Sequence, residues 1–344
     1  MTKKNIIYFC NTEKGASGGA KIIYHHSEII NNLDNFSSQV VHIKKKRSAK
    51  WKTSIKKKLK LSLSNETGWQ SNEIKTAGRF KYNWFTNKIS IKDDLTFNSN
   101  KDFVILPEIF AHLAEDLLIK NKIKYAIFVQ NGYSINFTNN SKKLSNAYEK
   151  AEFLLSYSTD ITECIKLNFP KLKTKILKIK YSIENPLFKS SIKKENLITY
   201  MSRKHPNHSS LMINFLNKNL PKGWKTLNLN NLNEKSVYQN LLRSKIFLAY
   251  SNLEGLPLPP IEAALTGNYV IGYTGEGGKD YWKKPIFTEI YTGDLRNFVK
   301  KILIKIKNIK KNKKSRTVQQ KKIKREFSQE NEVLHIKKFL RFVK

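Results

Sequence analysis

Short apolar runs alternating with amphipathic helical stretches constrain this chain more than any other feature of its sequence. Asn5 to Phe9 is one such run, ended by a polar turn through Gly15, Gly18 and Gly19. Ile22, Ile23, Ile29, Ile30 and Leu33 then recur on one helical face, so the opening reads strand, glycine loop, helix. Gln39 to Ile43, Phe103 to Leu106, Tyr125 to Val129 and Phe153 to Tyr157 are further strand-like runs, with a helix predicted over Ile109 to Lys120. Strand and helix in alternation imply a parallel sheet covered on both faces.

A second series follows Asn185-Pro186. Leu197 to Met201, Ile246 to Tyr250 and Tyr269 to Tyr273 read as strands, Asn207 to Asn217 as a helix, and Pro260 opens another that runs to Leu265. Val333, Leu334, Ile336, Phe339, Leu340 and Val343 carry helical spacing through Ser328 to Val343. The expected organisation is two Rossmann-like domains, 1–188 and 189–327, with a C-terminal closing helix over 328–344. Lys44 to Thr96 is polar and weakly periodic and reads as an exposed helix with long loops.

Composition sharpens this. With 344 residues, 40% of them hydrophobic, the chain can build two cores. No run approaches the roughly 18 apolar residues of a membrane span, and the opening MTKKNIIYFCNTEKG is too briefly apolar for a secretory signal, so a cytoplasmic protein is expected. Cys10 and Cys164 stand far apart, which supports neither a disulfide framework nor a cysteine-built zinc site. The net charge is +37, and 23 of it comes from two acid-free stretches, Lys44 to Lys60 and Lys300 to Arg325. Such an excess implies an anionic partner but says nothing of fold.

Chemistry concentrates at 250–278. A strand leads into a loop with Glu254, prolines forbid helix until Pro259 or Pro260, and the next helix then holds Glu262 in its first turn. Two carboxylates thereby converge at the carboxyl end of a strand, where open α/β sheets bind ligands beside a helix N-terminus that favours phosphate. Glu262 is equally a common helix-starting residue, and Gly275 to Gly278 equally a tight turn.

Together these residues resemble the E-x7-E signature of retaining GT-B glycosyltransferases of the glycogen-synthase-like, family-four type. Glu254 and Glu262 keep the spacing, Gly255, Leu258, Pro259, Pro260 and Ala263 match, and Gly267 falls where the family has its glycine. Gly18-Gly19-Ala-Lys is similar to the family's N-terminal glycine loop, Ile179 to Phe188 to its interdomain segment, and Ile198 to Lys204 to the strand that ends in an Arg at the donor diphosphate. The resemblance spans nearly the whole chain and is strongest from Ile179 to Asp280. It departs at Pro257, usually glycine, and at His208, where members commonly have Lys five residues after the Arg.

The resemblance implies a GT-B fold, two Rossmann-like domains facing across a cleft. It gives Glu254 the transferred sugar as the catalytic carboxylate and Glu262 the nucleotide ribose. Gly18, Gly19, Arg203, Lys204 and Leu258 complete the donor-binding set. The partners implied are a nucleotide-sugar donor, which is a substrate and not a cofactor, and a glycan or lipid-linked glycan acceptor.

Cleaving a sugar from a nucleoside diphosphate leaves charge on the phosphate, to be met by a metal ion, cationic side chains or oriented amides. The sequence contains no Asp-x-Asp; Asp93-Asp94 reads as a solvated loop and His205-x-x-His208 as a weak ligand pair. Metal-free stabilisation by Arg203, Lys204 and loop amides is therefore expected, with no metal site. For the acceptor domain, Glu108 and Gln130 are candidate cleft residues, and His112 is either a site residue or an ordinary surface or core histidine. Two alternatives stay open: a catalytically silent relative that binds sugar nucleotides, compatible with Pro257 and His208, and a basic nucleic-acid-binding protein. Only eight basic residues are Arg and no reader motif is present, which counts against the latter.

Trp51, Ile55, Leu59 and Leu63 recur every four residues within the first basic stretch. As a helix they form an apolar stripe flanked by lysines, suited either to an anionic membrane interface or to packing on the N-terminal domain. A membrane surface met through 44–63 and 300–325, on the inner face, is thus a further expected partner.

Overall fold

The computed structural model describes residues 3–12, 17–46, 70–83, 85–136, 141–184, 188, 192–309 and 313–343. Gly15, the 51–63 stripe and Asn185-Pro186 lie outside the described residues. The chain divides into two compact units, Met1–Ser156 with Ile161–Ile179 and His335–Lys344, and Tyr157–Asp160 with Lys180–Leu334.

The first unit holds β1 (Lys4–Cys10), α1 (Gly18–Asn31), β2 (Phe36–Lys45), β3 (Ile74–Thr76), β4 (Ser90–Lys92), β5 (Asp102–Pro107), β6 (Tyr125–Val129), α2 (Ser141–Lys150), β7 (Phe153–Ser156), α3 (Thr159–Asn168) and β8 (Ile176–Lys178). Its sheet runs β3-β2-β1-β5-β6-β7-β8, with β4 also on β2. All pairings are parallel except β2 with β3. Ile6 to Cys10 and Phe103 to Leu106 are buried without alternation, the signature of strands covered on both faces. Strand order reverses between β1 and β5, so the carboxyl ends of these two strands form the switch point.

Two segments differ from expectation. Residues 109–120 form no α-helix but a tight 3-10 helix, Glu108–Leu113, followed by a wide π turn, Glu115–Ile119. Tightening and then widening keeps Phe110, Ala111, Leu113, Ala114 and Leu118 all buried. The segment after Gln70 contributes β3 and β4, and Phe80, Tyr82 and Phe85 gather around Tyr24 and His42. Tyr24 OH lies 2.9 Å from His42 Nε2 and accepts from the Tyr82 amide at 3.1 Å. Three-residue strands and an aromatic cluster carry no readable period, which is why the sequence there looked like loop.

The second unit holds β9 (Leu197–Tyr200), α4 (Pro206–Asn217), β10 (Lys225–Asn228), α5 (Glu234–Arg243), β11 (Ile246–Glu254), α6 (Leu258–Leu265), β12 (Tyr269–Glu276), β13 (Phe287–Glu289), α7 (Leu295–Lys307) and α8 (Lys313–Glu326). A last helix, α9 (Gln329–Leu340), follows, and its residues from His335 onward count with the first unit. The sheet is wholly parallel in the order β10-β9-β11-β12-β13, with its switch point between β9 and β11. Helices α4 and α7 pack side by side on one face, where Met212, Leu216, Phe298 and Ile302 meet Ile198, Leu248, Tyr250 and Ile271. Helices α5 and α8 pack against α6.

The carboxyl end of α6 is pinned. Lys194 Nζ donates to the carbonyls of Leu241, Ser244 and Thr266 at 3.1, 2.7 and 2.7 Å, a cation set at two helix C-termini. Burial lowers its pKa to about 7. Asn268, fully buried, donates to the carbonyls of Leu241 and Ala263. This network fixes the helix that carries Glu262.

Candidate functional site

The second unit's switch point gathers several of the expected residues. Strand β11 leaves its register with β12 between Ser251 and Glu254. Leu253 takes φ 45°, a strained conformation for a bulky side chain. That irregularity delivers Glu254, whose Oε1 stands 3.3 Å from Lys204 Nζ. Arg203 and Lys204 follow β9, and both are exposed. Arg203 has no side-chain hydrogen bond or ion pair among the described residues. An unpartnered guanidinium beside a carboxylate–ammonium pair can accept a phosphate through charge-assisted bonds.

Helix α6 begins at Leu258 with Pro257 as its cap, two residues before the predicted start. Glu262 is therefore its fifth residue, beyond the first turn, and capping or dipole stabilisation does not account for it. Its Oε1 accepts from Tyr238 OH at 2.8 Å. Prolines at 257, 259 and 260 lack amide hydrogens, so of the four N–H groups that a helix start leaves unpaired only Leu258 has one. The loop before α6 is held from beneath. Tyr281 OH donates to the Pro257 carbonyl at 2.7 Å, and a Cβ on Gly277 would lie 2.1 Å from the Gly255 carbonyl oxygen.

His208 contacts Tyr273, which is 1% exposed. Tyr273 OH accepts from the Gly293 amide at 3.2 Å and lies 3.1 Å from His208 Nδ1. Tyr273 thereby links His208 to the Gly293 turn. His205 stacks on His208 with ring centroids 4.9 Å apart; burial, followed by His208, lowers the His205 pKa. Lys204 is engaged with Glu254 and His208 with Tyr273, which leaves Arg203 as the unpaired cation of this group.

Gly18 and Gly19 belong to the first unit, at the start of α1. Ser17 Oγ accepts from the Ala20 amide at 3.4 Å, while the amides of Gly18 and Gly19 have no partner among the described residues. A Cβ on Gly19 would meet Gln130 Oε1 at 2.3 Å, and Gln130 Nε2 donates to the Gly19 carbonyl at 3.1 Å. Glu108, 5% exposed, accepts from the amides of Gln130 and Asn131 at 2.9 and 3.2 Å. Burial raises its pKa to about 7 against those bonds. His112 is 4% exposed and sits in the interior of its unit. Asp93 and Asp94 are exposed, and Asp94 pairs with Lys92 at 2.7 Å. Among the described residues, no group of three or more His, Cys, Asp or Glu could hold a metal ion, and no helix is long and apolar enough to cross a membrane.

No protein-family model matches the sequence, and no curated protein sequence matches it. Solved structures do. HepE of Anabaena, in complex with UDP, aligns over 98% of this chain and 99% of its own with a TM-score of 0.63 at 10% identity. TarM aligns over 99% of both chains (TM-score 0.64, 10% identity), as does sucrose-phosphate synthase of Thermosynechococcus elongatus (TM-score 0.64, 9% identity). The fold is GT-B. At these identities the likeness speaks for fold alone. Within this GT-B chain, Tyr238, Tyr273 and Tyr281 were missed by sequence reasoning. Tyr273 ends an apolar run, whereas Tyr238 lies on a helix that Asn233 caps and Glu234 opens but whose packing partner spacing does not show, and Tyr281 follows a glycine turn where no partner is visible from spacing.

Proposed function

We propose that this chain is a glycosyltransferase that moves a sugar from a nucleotide-sugar donor to a glycan or lipid-linked glycan, with retention and without a metal ion. What carries the reading is one arrangement: Glu254, Arg203 and Lys204 at the carboxyl ends of β9 and β11, where a parallel sheet binds ligands. The fold likeness adds to it, since HepE structures hold UDP and UDP-glucose and the pneumococcal O-GlcNAc transferase GtfA holds UDP and GlcNAc.

In this reading Arg203 and Lys204 meet the charge that develops on the leaving diphosphate, and Leu258 donates its amide to it. Glu262 accepts the ribose hydroxyls, sharing its carboxylate with Tyr238. Glu254 accepts hydroxyls of the transferred sugar, its charge set by Lys204. Gly18 and Gly19 donate amides to the donor phosphates. The family-four, E-x7-E assignment, and a peripheral place on an anionic membrane through 44–63 and 300–325, belong to the same proposal. Residues 47–63 lie outside the described residues.

The test is a thermal-shift screen against nucleoside diphosphates and sugar nucleotides, UDP and UDP-glucose first, followed by transfer assays with any hit. A ligand at 100 times its Kd adds about 2.7 kcal/mol of stability, well within what such a screen detects. Stabilisation together with transfer supports the reading. Stabilisation without turnover on any acceptor favours the silent relative, for which Pro257 and His208 are the observations, and no stabilisation by any nucleotide overturns both.

A further inference from the structure

Two acid-free stretches, 196–233 and 295–325, contain helices α4 and α7, and the two helices lie side by side on one face of the second sheet. Met212, Leu216, Phe298 and Ile302 point into the core. The outward surface is not simply polar: Leu211, Phe215 and Ile304 are 49%, 48% and 43% exposed. Lys218, Arg296, Lys300, Lys301 and Lys307 on the same two helices or at their ends are exposed as well. None of these five side chains has a hydrogen bond or ion pair among the described residues. Some other cations of the unit are engaged, as in Arg243 with Glu195 at 2.8 Å and Lys180 with Glu326 at 2.5 Å.

Apolar side chains half out of water amid unpaired cations match a surface that is anionic at its top and apolar beneath. Lysine stems also lie comfortably along apolar surface while their heads reach phosphate. A nucleic acid would engage the cations but would leave Leu211 and Ile304 without a partner, and this face has four Lys to one Arg, a poor composition for bidentate recognition. We propose that the α4–α7 face docks on the anionic phospholipid headgroups of a membrane, with Leu211, Phe215 and Ile304 entering the headgroup layer. This rests on the peripheral-membrane part of the function proposed above and is independent of glycosyl transfer. It names a surface different from the 44–63 stretch.

The experiment is flotation of the full chain with phosphatidylcholine vesicles, with and without phosphatidylglycerol. Binding is expected with the anionic vesicles alone and weakens with salt. Lys300→Glu, Lys301→Glu and Lys307→Glu combined lower it by roughly a hundredfold. Leu211→Ser, Phe215→Ser and Ile304→Ser combined lower it less and leave its salt dependence unchanged. All six sites are exposed or half-exposed, so both variants keep the wild-type circular dichroism and the wild-type response to nucleotides. Anionic-vesicle binding that both variants retain in full overturns this surface while sparing the peripheral reading, whereas no vesicle binding by the wild-type chain, or equal binding to neutral vesicles, overturns both. Displacement from vesicles by a polynucleotide that the serine variant binds unchanged assigns the face to nucleic acid instead.

Discussion

At the carboxyl edge of the second sheet charge is left in the open, whereas at that of the first it is taken inside. Among the described residues Arg203 stands exposed without a side-chain hydrogen bond or ion pair, and Glu254 pairs with Lys204 at 3.3 Å. In the first unit Glu108 is buried, its carboxylate spent on the Gln130 and Asn131 amides, and Gln130 fills the space beside Gly19. Both edges are switch points of parallel sheets, so topology alone would rate them equally as ligand sites. The difference teaches that an edge is made ready for an anion by what its side chains leave unsatisfied, and among the described residues Arg203 of the second unit is such a cation.

The glycines of the two edges differ in the same sense, and substituting them breaks the comparison most directly. A Cβ on Gly277 runs into the Gly255 backbone, which cannot step aside, so Gly277→Ala is expected to cost about 3 kcal/mol or more, read as a lowered Tm and a lost nucleotide response. A wild-type Tm would show that the Glu254 loop is not braced from below.

Next in size are the carboxylates. Glu254→Ala and Glu262→Gln each remove hydrogen bonds to a charged group, worth roughly 1.5 to 3 kcal/mol, or about ten- to hundredfold in transfer rate. A normally folded variant with undiminished transfer on the identified donor removes that residue from the site. Arg203→Ala comes third, with nucleoside diphosphate binding weakened about tenfold in calorimetry and transfer that survives EDTA. Full dependence on a divalent ion together with a silent Arg203→Ala would sink the metal-free mechanism.

The buried edge is probed by pH. Burial raises the Glu108 pKa from 4.5 to about 7, so its stabilisation is complete below pH 4.5 and is lost as pH climbs through 7. Burial lowers that of His42 from 6.5 to about 4, so its contribution is present above pH 6.5 and is lost as pH falls through 4. Between pH 4.5 and 6.5 the two slopes oppose one another. Glu108→Gln should expose the His42 slope, at most about 1.4 kcal/mol per pH unit, as a Tm that falls with acid more steeply than wild type. Parallel profiles would mean that Glu108 does not titrate in this window. The smallest effect is expected from Gly19→Ala, where the obstructing atom is the end of a flexible side chain. Gln130 can swing away for the loss of one hydrogen bond, about 1 kcal/mol.

Much of this protein lay open in its sequence. Strands β1, β5, β6, β7, β9, β11 and β12 are apolar on both faces, and burial on both faces needs no partner to be recognised. The spacing of Glu254 and Glu262 was likewise plain, because a strand, a proline-rich loop and a helix are local events. The α6 start was misjudged by two residues, since Pro259 and Pro260 look like breakers yet are tolerated in a first turn. Short strands β3, β4, β8, β10 and β13 escaped, because three or four residues carry too little pattern to separate from loop.

What the sequence determined by itself was the class of fold and the set of residues able to do chemistry, because hydrophobic period and residue type act over a few positions. Which of those residues are spent internally was decided only in three dimensions. Lys204 with Glu254, Tyr238 with Glu262, Tyr273 with His208 and Gln130 with Gly19 are pairs 24 to 111 residues apart. Hydrogen bonds and ion pairs form between groups that the sheets bring within about 3 Å, and no local pattern records that approach.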